Sequence, residues 1–189
     1  MAENGGRVAV FCGSRAGAHT AYAEAAAAVG ATLAERGCEL VYGGAHVGLM
    51  GVLADAALAR GGRVTGVIPS SMVDRELAHR GVTDLRIVGS MHERKALMAS
   101  LADAFLVLPG GMGTLDELCE ILTWAQLGLH AKPVGLVNAR GYWTGFLQFL
   151  DTAVADGFLR PADRANLKCD DDVASLIDRL LLPTRAVEA

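Results

Sequence analysis

The sequence lacks the features that mark nucleic-acid-binding, secreted and membrane proteins. Its formal net charge is −4 over 189 residues, so it has no basic excess to attract nucleic acid. No basic segment followed by an apolar stretch opens the chain, and no apolar run reaches the roughly 18 residues that a membrane-spanning helix needs. We therefore expect a cytoplasmic protein with no nucleic-acid partner and no membrane contact.

Disulfide and metal frameworks are also missing. The four cysteines form no C-x-x-C pair, which predicts reduced thiols packed in or near the core at Cys12, Cys38, Cys119 and Cys169. The five histidines do not pair at i, i+4 spacing, and no cluster of side chains has ligand spacing. The sequence therefore predicts no metal site, and it indicates no bound cofactor.

Short apolar runs alternate with longer helical patterns along the chain. The expected strands are Arg7–Cys12, Glu39–Tyr42, Arg63–Ile68, Asp84–Val88, Ala104–Leu108 and Pro133–Val137. Nearly all-apolar strands that alternate with helices predict a parallel sheet covered on both faces. We therefore expect an α/β protein with a Rossmann-like doubly wound sheet, in a single domain over residues 1–189 with an ordered core from about residue 7 to about 183.

The helical patterns fill the gaps between these strands. The main expected helices are Ala21–Arg36, a helix ending near Arg60, Ser90–Ala102, Thr114–Gly128, Thr144–Asp156 and Asp171–Leu182. Residues 72–81 are more polar and less regular. Every glycine-rich segment follows an expected strand, and ligands of doubly wound sheets bind at the carboxyl ends of the strands.

The strongest candidate site is the segment Pro109–Glu117, with Gly110, Gly111, Met112, Gly113 and Thr114 between a strand and a helix. Glycines let the backbone approach a ligand, and the unpaired amides at a helix start favour an anion. Asp116 stands where a dinucleotide fingerprint needs glycine, and no Gly-Lys-Ser/Thr follows as in a P-loop. The segment thus predicts a mononucleotide phosphate site, the alternative being a tight turn with nothing bound.

Glu117 has two interpretations from the sequence alone. Thr114 and Glu117 match a helix capping box, in which the carboxylate would only cap the helix. The other interpretation is a carboxylate at the mouth of an anion site, where it could orient a water or stabilise positive charge developing on a sugar. The spacing of the residues fits both.

Further charged and glycine-rich segments have weaker signals. Arg94 and Lys95 follow a capping box at Ser90–Glu93, where the helix dipole disfavours cations unless an anion is bound; the alternative is two solvated cations on a surface helix. A polar loop carries Asp74-Arg75-Glu76, which composition alone would leave solvated. Two strand ends could also face the cleft, through Gly13, Ser14, Gly43 and Gly44.

Several separate motifs follow one another along the chain: Cys12-Gly13-Ser14, Tyr42-Gly43-Gly44, Gly48-Leu49-Met50-Gly51, Ser90–Lys95, Pro109–Glu117, Thr123–Gly128 and Lys132–Gly135. In this order they resemble the LOG family of cytokinin riboside 5'-monophosphate phosphoribohydrolases. The resemblance runs from about Val8 to Phe158. Ala45 and Arg15 depart from what many relatives have, and Arg15 could alter which base enters the cleft.

The resemblance implies a reaction and a set of residues for it. The family hydrolyses the N-glycosidic bond of a cytokinin nucleotide to the free base and ribose 5-phosphate. By resemblance, Arg94 and Glu117 would be the catalytic pair, residues 111–114 would hold the phosphate, and Glu76, Lys95 and Thr123 would contact the substrate. It also implies a homodimer with active sites near the interface, and the apolar character of the helix Thr114–Gly128 fits that arrangement.

Two other functions remain open on the sequence. The chain could bind a nucleoside monophosphate without turnover, which would need the phosphate turn but not Arg94 and Glu117 together. A decarboxylase, the label that many relatives carry, would normally need a Schiff-base lysine for pyridoxal phosphate. The chain has three lysines, Lys95, Lys132 and Lys168, and nothing in the sequence predicts a cofactor pocket around any of them.

Overall fold

The computed structural model describes residues 5–73 and 77–182. The segment Asp74-Arg75-Glu76 therefore lies outside the described residues, and with it the expected substrate contact of Glu76. Within the described ranges, no helix is long and apolar enough to cross a membrane, and no group of three or more side chains is arranged to hold a metal ion.

The seven strands among the described residues form one parallel sheet in the order β4-β3-β2-β1-β5-β6-β7. The strands are β1 (Arg7–Phe11), β2 (Glu39–Tyr42), β3 (Val64–Pro69), β4 (Asp84–Val88), β5 (Ala104–Val107), β6 (Val134–Val137) and β7 (Leu167–Asp170). The chain runs outward from β1 to β4 and returns beside β1 to build β5, β6 and β7. A doubly wound sheet is therefore confirmed, and the direction of winding changes between β1 and β5.

Helices pack on both faces of the sheet. They are α1 (Thr20–Glu35), α2 (Gly48–Ala59), α3 (Ser70–Val73), α4 (Met91–Leu101), α5 (Met112–Gln126), α6 (Thr144–Ala155), α7 (Pro161–Ala165) and α8 (Val173–Leu181). Side chains of a strand alternate between faces. Val8 and Val10 therefore join the core beneath α1, α2 and α8, while Ala9 and Phe11 join the core beneath α4, α5 and α6.

The predicted strand boundaries are nearly right, but one strand was missed. β7 occupies Leu167–Asp170, which has one buried residue, Leu167, and three partly exposed ones. Such a short edge strand has neither an apolar run nor a clear alternation to reveal it. The short helices α3 and α7 were also missed.

The helix after the glycine-rich turn begins earlier than expected. α5 spans Met112–Gln126 instead of Thr114–Gly128, and Gly111 occupies the N-cap position. The amide of Leu115 already donates to the carbonyl oxygen of Gly111 at 3.0 Å. At the other end Gly128 adopts a φ of 74°, the left-handed conformation that commonly ends helices.

Candidate active site

Three loops meet at the carboxyl ends of the strands, where the winding of the sheet changes direction. The amide of Gly13, after β1, donates to the carbonyl oxygen of Pro109, after β5, at 3.0 Å. The amide of Leu49, in the first turn of α2, donates to the carbonyl oxygen of Gly13 at 3.1 Å. Together they frame a cleft of about 570 Å³. This is the crevice in which doubly wound proteins bind their ligands.

The N-terminus of α5 opens into this cleft. Gly110, Gly111, Met112, Gly113 and Thr114 all line it. A methyl group added at Gly111 or Gly113 would meet no atom within 4 Å, so free space lies against both α-carbons. The first amides of a helix have no intrahelical acceptor, and the helix dipole is positive there. The turn can therefore accept an anion of the size of a phosphate.

Gly110 serves a different purpose, because its α-carbon is enclosed. A Cβ at this position would lie 2.1 Å from Thr114 Oγ1 and 2.9 Å from the amide nitrogen of Gly13. Thr114 itself is buried, 4% exposed, and is the third residue of α5 instead of its N-cap. The capping-box interpretation of Thr114 and Glu117 is therefore wrong, because the helix starts three residues earlier than that motif requires.

Glu117 instead forms a buried ion pair with Arg94. Arg94 Nη1 donates to Glu117 Oε1 at 2.7 Å, and both side chains are only 9% exposed. Arg94 Nε also donates to the carbonyl oxygen of Val67, at the end of β3, at 3.1 Å. Arg94 comes from α4 and Glu117 from the second turn of α5, and both line the cleft. Arg94 is thus not the solvated surface cation that was the alternative.

Gly43 makes room for the Arg94 guanidinium. A Cβ at Gly43 would lie 2.0 Å from Arg94 Nη2 and 2.9 Å from Met50 Sδ. Any larger residue would therefore force the guanidinium to shift. Gly43 and Gly44 do not belong to the lining of the cleft, so their contribution is to support it, whereas Gly13 and Ser14 lie in its wall.

Burial dominates the electrostatics of the pair. Burial raises the pKa of Glu117 above the ordinary glutamate value, and the positive charge of Arg94 opposes this rise. A carboxylate with a raised pKa is a stronger base than a solvated one. Cys12 lies beside the pair and is buried, so burial and the charge of Glu117 raise the pKa of its thiol far above the usual range. Cys12 is therefore a protonated thiol and a poor nucleophile.

Lys95 lies next to the pair but outside the cleft lining. Its Nζ lies 3.0 Å from Asp116 Oδ2 and 3.1 Å from Glu120 Oε2. Although burial opposes it, hydrogen bonding to the two carboxylates raises the pKa of Lys95 above its ordinary value. In the described chain Lys95 therefore links α4 to α5, the two helices that carry Arg94 and Glu117.

Thr123 lies away from the cleft. It is exposed and its Oγ1 donates to the carbonyl oxygen of Cys119, one turn back, at 2.7 Å. It lines a separate groove of about 660 Å³ between α5, α6 and α7. Another hollow, of about 750 Å³, lies at the amino ends of the strands around Arg7 and Asp103 and contains none of the candidate residues.

The structure adds cleft residues that the sequence did not reveal. Two tyrosines form one wall, Tyr22 from α1 and Tyr142 from the loop after β6, with their rings edge to face at 5.7 Å. Met50, Met72 and Met91 contribute apolar surface. Tyr142 could have been found, because it follows the strand next to β5 and so had to lie at the same edge of the sheet. Tyr22 had no such signal, since it sits within an alanine-rich helix.

Comparison with known proteins fits this geometry. A family model described as "Possible lysine decarboxylase" matches residues 50–180. A protein of Oryza sativa subsp. japonica named "Probable cytokinin riboside 5'-monophosphate phosphoribohydrolase" is 51% identical over 92% of this chain and 77% of its own length. An Arabidopsis thaliana protein named cytokinin riboside 5'-monophosphate phosphoribohydrolase is 46% identical over 92% of this chain and 82% of its own length.

Solved structures of low sequence identity resemble this chain in fold only. The molybdenum cofactor carrier protein of Chlamydomonas reinhardtii superposes with a TM-score of 0.72 at 21% identity, covering 94% of this chain and 99% of that chain. The fold is therefore shared by proteins whose names indicate different roles, and it does not decide function. The sequence identities over nearly the whole chain do decide the family: the chain belongs to the LOG family, together with the relatives named cytokinin riboside 5'-monophosphate phosphoribohydrolases.

Proposed function

We propose that the protein hydrolyses the N-glycosidic bond of cytokinin riboside 5'-monophosphates, and of AMP, to the free base and ribose 5-phosphate. The observation that carries the proposal is the buried ion pair of Arg94 and Glu117 in the same cleft as the open N-terminus of α5. The names of the relatives in the family point to the same reaction.

The spacing along α5 suits a ribose 5-phosphate. Glu117 lies five residues beyond Met112, which is about 7.5 Å along the helix axis. With the phosphate on the amides of residues 111–114, the sugar extends along the helix toward Glu117. The phosphate then contributes binding energy that aligns the anomeric carbon with the carboxylate, although it takes no part in bond breaking.

Glu117 would act at the anomeric carbon. As the C1'–N bond stretches, the bonding electrons leave with the base and the ribose gains oxocarbenium character, which a carboxylate stabilises. A water then adds to C1' and gives a proton to Glu117, whose raised pKa makes it a suitable base. Glu117 returns its proton to the solvent, the departing base takes up one proton from the solvent, and the products are the free base and ribose 5-phosphate.

Arg94 would hold Glu117 in the form and orientation that this chemistry needs. Its Nη1 occupies Glu117 Oε1, which leaves Oε2 for the substrate or the water. Its positive charge opposes the protonation that burial favours. Lys95 would support the pair from outside the cleft through Asp116 and Glu120, so we propose for it a positioning role more than a direct contact with the substrate.

We also propose that the protein works as a homodimer. Large apolar side chains are exposed on and after α5 and on α6, including Leu127 at 68%, Leu129 at 69% and Phe149 at 65%. Monomers rarely leave such a group of side chains in water. Thr123 lies on the same side, among the residues of the groove between α5, α6 and α7. A contact of Thr123 with substrate would therefore require the cleft of a second subunit.

The decarboxylase suggested by the family description does not fit the lysines of this chain. Lys95 is bound by two carboxylates, and Lys132 Nζ donates to the carbonyl oxygen of Ala99 at 2.7 Å. Lys168 Nζ donates to the carbonyl oxygen of Arg179 at 2.6 Å, on the β7 side of the sheet. None of the three lines the cleft, so none is placed to form a Schiff base there.

The first prediction concerns the catalytic pair. The Glu117→Gln variant keeps the shape of the side chain and a hydrogen-bond acceptor for Arg94, but it loses the charge. We expect the turnover of isopentenyladenosine monophosphate or AMP, followed as released base by chromatography, to fall at least about a hundredfold. Arg94→Ala should also abolish release, and it should cost about 3 kcal/mol of folding free energy because a buried carboxylate is left unpaired.

Glu24→Gln is the control for Glu117→Gln. Glu24 is exposed on α1 and does not line the cleft. Its variant should retain turnover within about threefold of wild type, because it removes a surface charge that has no part in the proposed mechanism. A folded Glu117→Gln protein with wild-type turnover would show that the assigned role is wrong.

The second prediction tests the phosphate turn. Gly111→Ala adds a methyl group in free space, so the fold should be unaffected, yet the methyl group would occupy the surface offered to the phosphate. We expect the KM for the nucleotide to rise at least about tenfold, which corresponds to 1.4 kcal/mol of binding energy. Gly145→Ala on α6, equally unhindered but outside the cleft, should leave KM unchanged. Equal KM values for the two variants would exclude the turn as the phosphate site.

The third prediction concerns the dimer. Light scattering should give a mass of twice 19.7 kDa for the wild-type protein. The double variant Leu127→Asp, Leu129→Asp should be monomeric, because it places charges on the exposed apolar surface after α5. Ile87→Asp is the control, since Ile87 is also exposed, at 58%, but lies on β4 at the opposite edge of the sheet. A monomeric wild-type protein would contradict the proposal.

A further inference from the structure

Tyr142 is bonded to the phosphate turn from a distant part of the chain. Its hydroxyl donates to the carbonyl oxygen of Gly110, 32 residues away in sequence. Its ring lies in the wall of the cleft, 42% exposed. No step of the proposed hydrolysis uses this side chain, so the hydrogen bond to Gly110 needs another explanation.

Hydrogen bonds and ring contacts hold the segment that carries Tyr142 in place. The 3-10 turn Ala139–Gly141 follows β6, and Asn138 Oδ1 accepts from the amide of Trp143 at 2.8 Å. The Trp143 side chain is buried, and its ring packs edge to face against Tyr142 at 5.1 Å. Tyr22 also packs edge to face against Tyr142, at 5.7 Å. The hydroxyl is therefore held in place by the ring contacts and can fix what it bonds.

The peptide between Gly110 and Gly111 needs such a restraint. Glycine tolerates almost every backbone conformation, so this peptide could rotate and turn its carbonyl oxygen toward the cleft. A carbonyl oxygen there would repel a phosphate. The peptide before it is already fixed, since the carbonyl oxygen of Pro109 accepts from Gly13, and the helix fixes the backbone from Met112 onward. Neither the bond at Pro109 nor the helix fixes the carbonyl group of Gly110, so its orientation depends on the bond from Tyr142.

We propose that Tyr142 is a positioning residue for phosphate, whose hydroxyl holds the Gly110 carbonyl away from the anion and so keeps the turn in its anion-binding conformation. In a trans peptide the carbonyl oxygen and the following N–H point in opposite directions. Holding the carbonyl of Gly110 therefore also fixes the direction of the Gly111 amide. The proposal rests on the proposed function, because it assumes that the turn binds the phosphate of the substrate.

Tyr142→Phe tests the proposal, because it removes the hydroxyl and keeps the ring. Calorimetry would measure the binding of two product halves separately, ribose 5-phosphate and adenine. We expect the Kd for ribose 5-phosphate to rise roughly five- to tenfold, as for the loss of one hydrogen bond, and the Kd for adenine to stay the same. Tyr42→Phe is the matched control, since the Tyr42 hydroxyl is buried and has no hydrogen-bond partner among the described residues. It should bind both compounds as wild type does.

Three results would overturn the proposal. They are an unchanged Kd for ribose 5-phosphate in Tyr142→Phe, an equal loss of affinity for adenine, which would indicate general disruption of the cleft, and no binding of ribose 5-phosphate by the wild-type protein. Base release from AMP by the wild-type protein is measured independently. A protein that binds ribose 5-phosphate through Tyr142 but releases no base would contradict the proposed function and leave the role of Tyr142 intact.

Discussion

The ion pair between Arg94 and Glu117 is the interaction on which the organisation of the cleft depends. Removing both charges from water costs several kcal/mol, so a buried pair is weak evidence for stability and better evidence for chemistry. The surrounding chain is adapted to hold it. Gly43 leaves space for the guanidinium, Val67 accepts its second hydrogen bond, and Lys95 joins the two helices from outside.

One helix combines binding and catalysis in the proposed mechanism. The start of α5 offers free amides and open glycine α-carbons, and its second turn carries Glu117. A phosphate bound at the start of the helix and the Glu117 carboxylate in its second turn are separated by a distance that suits a ribose. The fold brings Arg94 to this helix because α4 and α5 pack on the same face of the sheet and both contact β1. Fold and site are thus linked by the order of the strands.

The sequence predicted the sheet and most of the cleft, for identifiable reasons. Buried parallel strands are almost wholly apolar, and glycines after them mark ligand turns, so β1, β5 and the segment Pro109–Glu117 could be recognised. The sequence could not decide between capping and ion pairing for Glu117, since that depends on where α5 begins and on the Gly111 backbone. Distant partners such as Tyr142 and Gly110 leave no local pattern. The edge strand β7 was missed because it is short and half exposed.

The most direct test of the central claim is a crystal structure of the Glu117→Gln variant with AMP bound. The account predicts phosphate oxygens within hydrogen-bonding distance of the amides of residues 111–114, and the anomeric carbon of the ribose beside the side chain at position 117. It also predicts that Arg94 still donates to that side chain. A nucleotide bound elsewhere, or bound in this cleft with its phosphate away from the start of α5, would contradict the account.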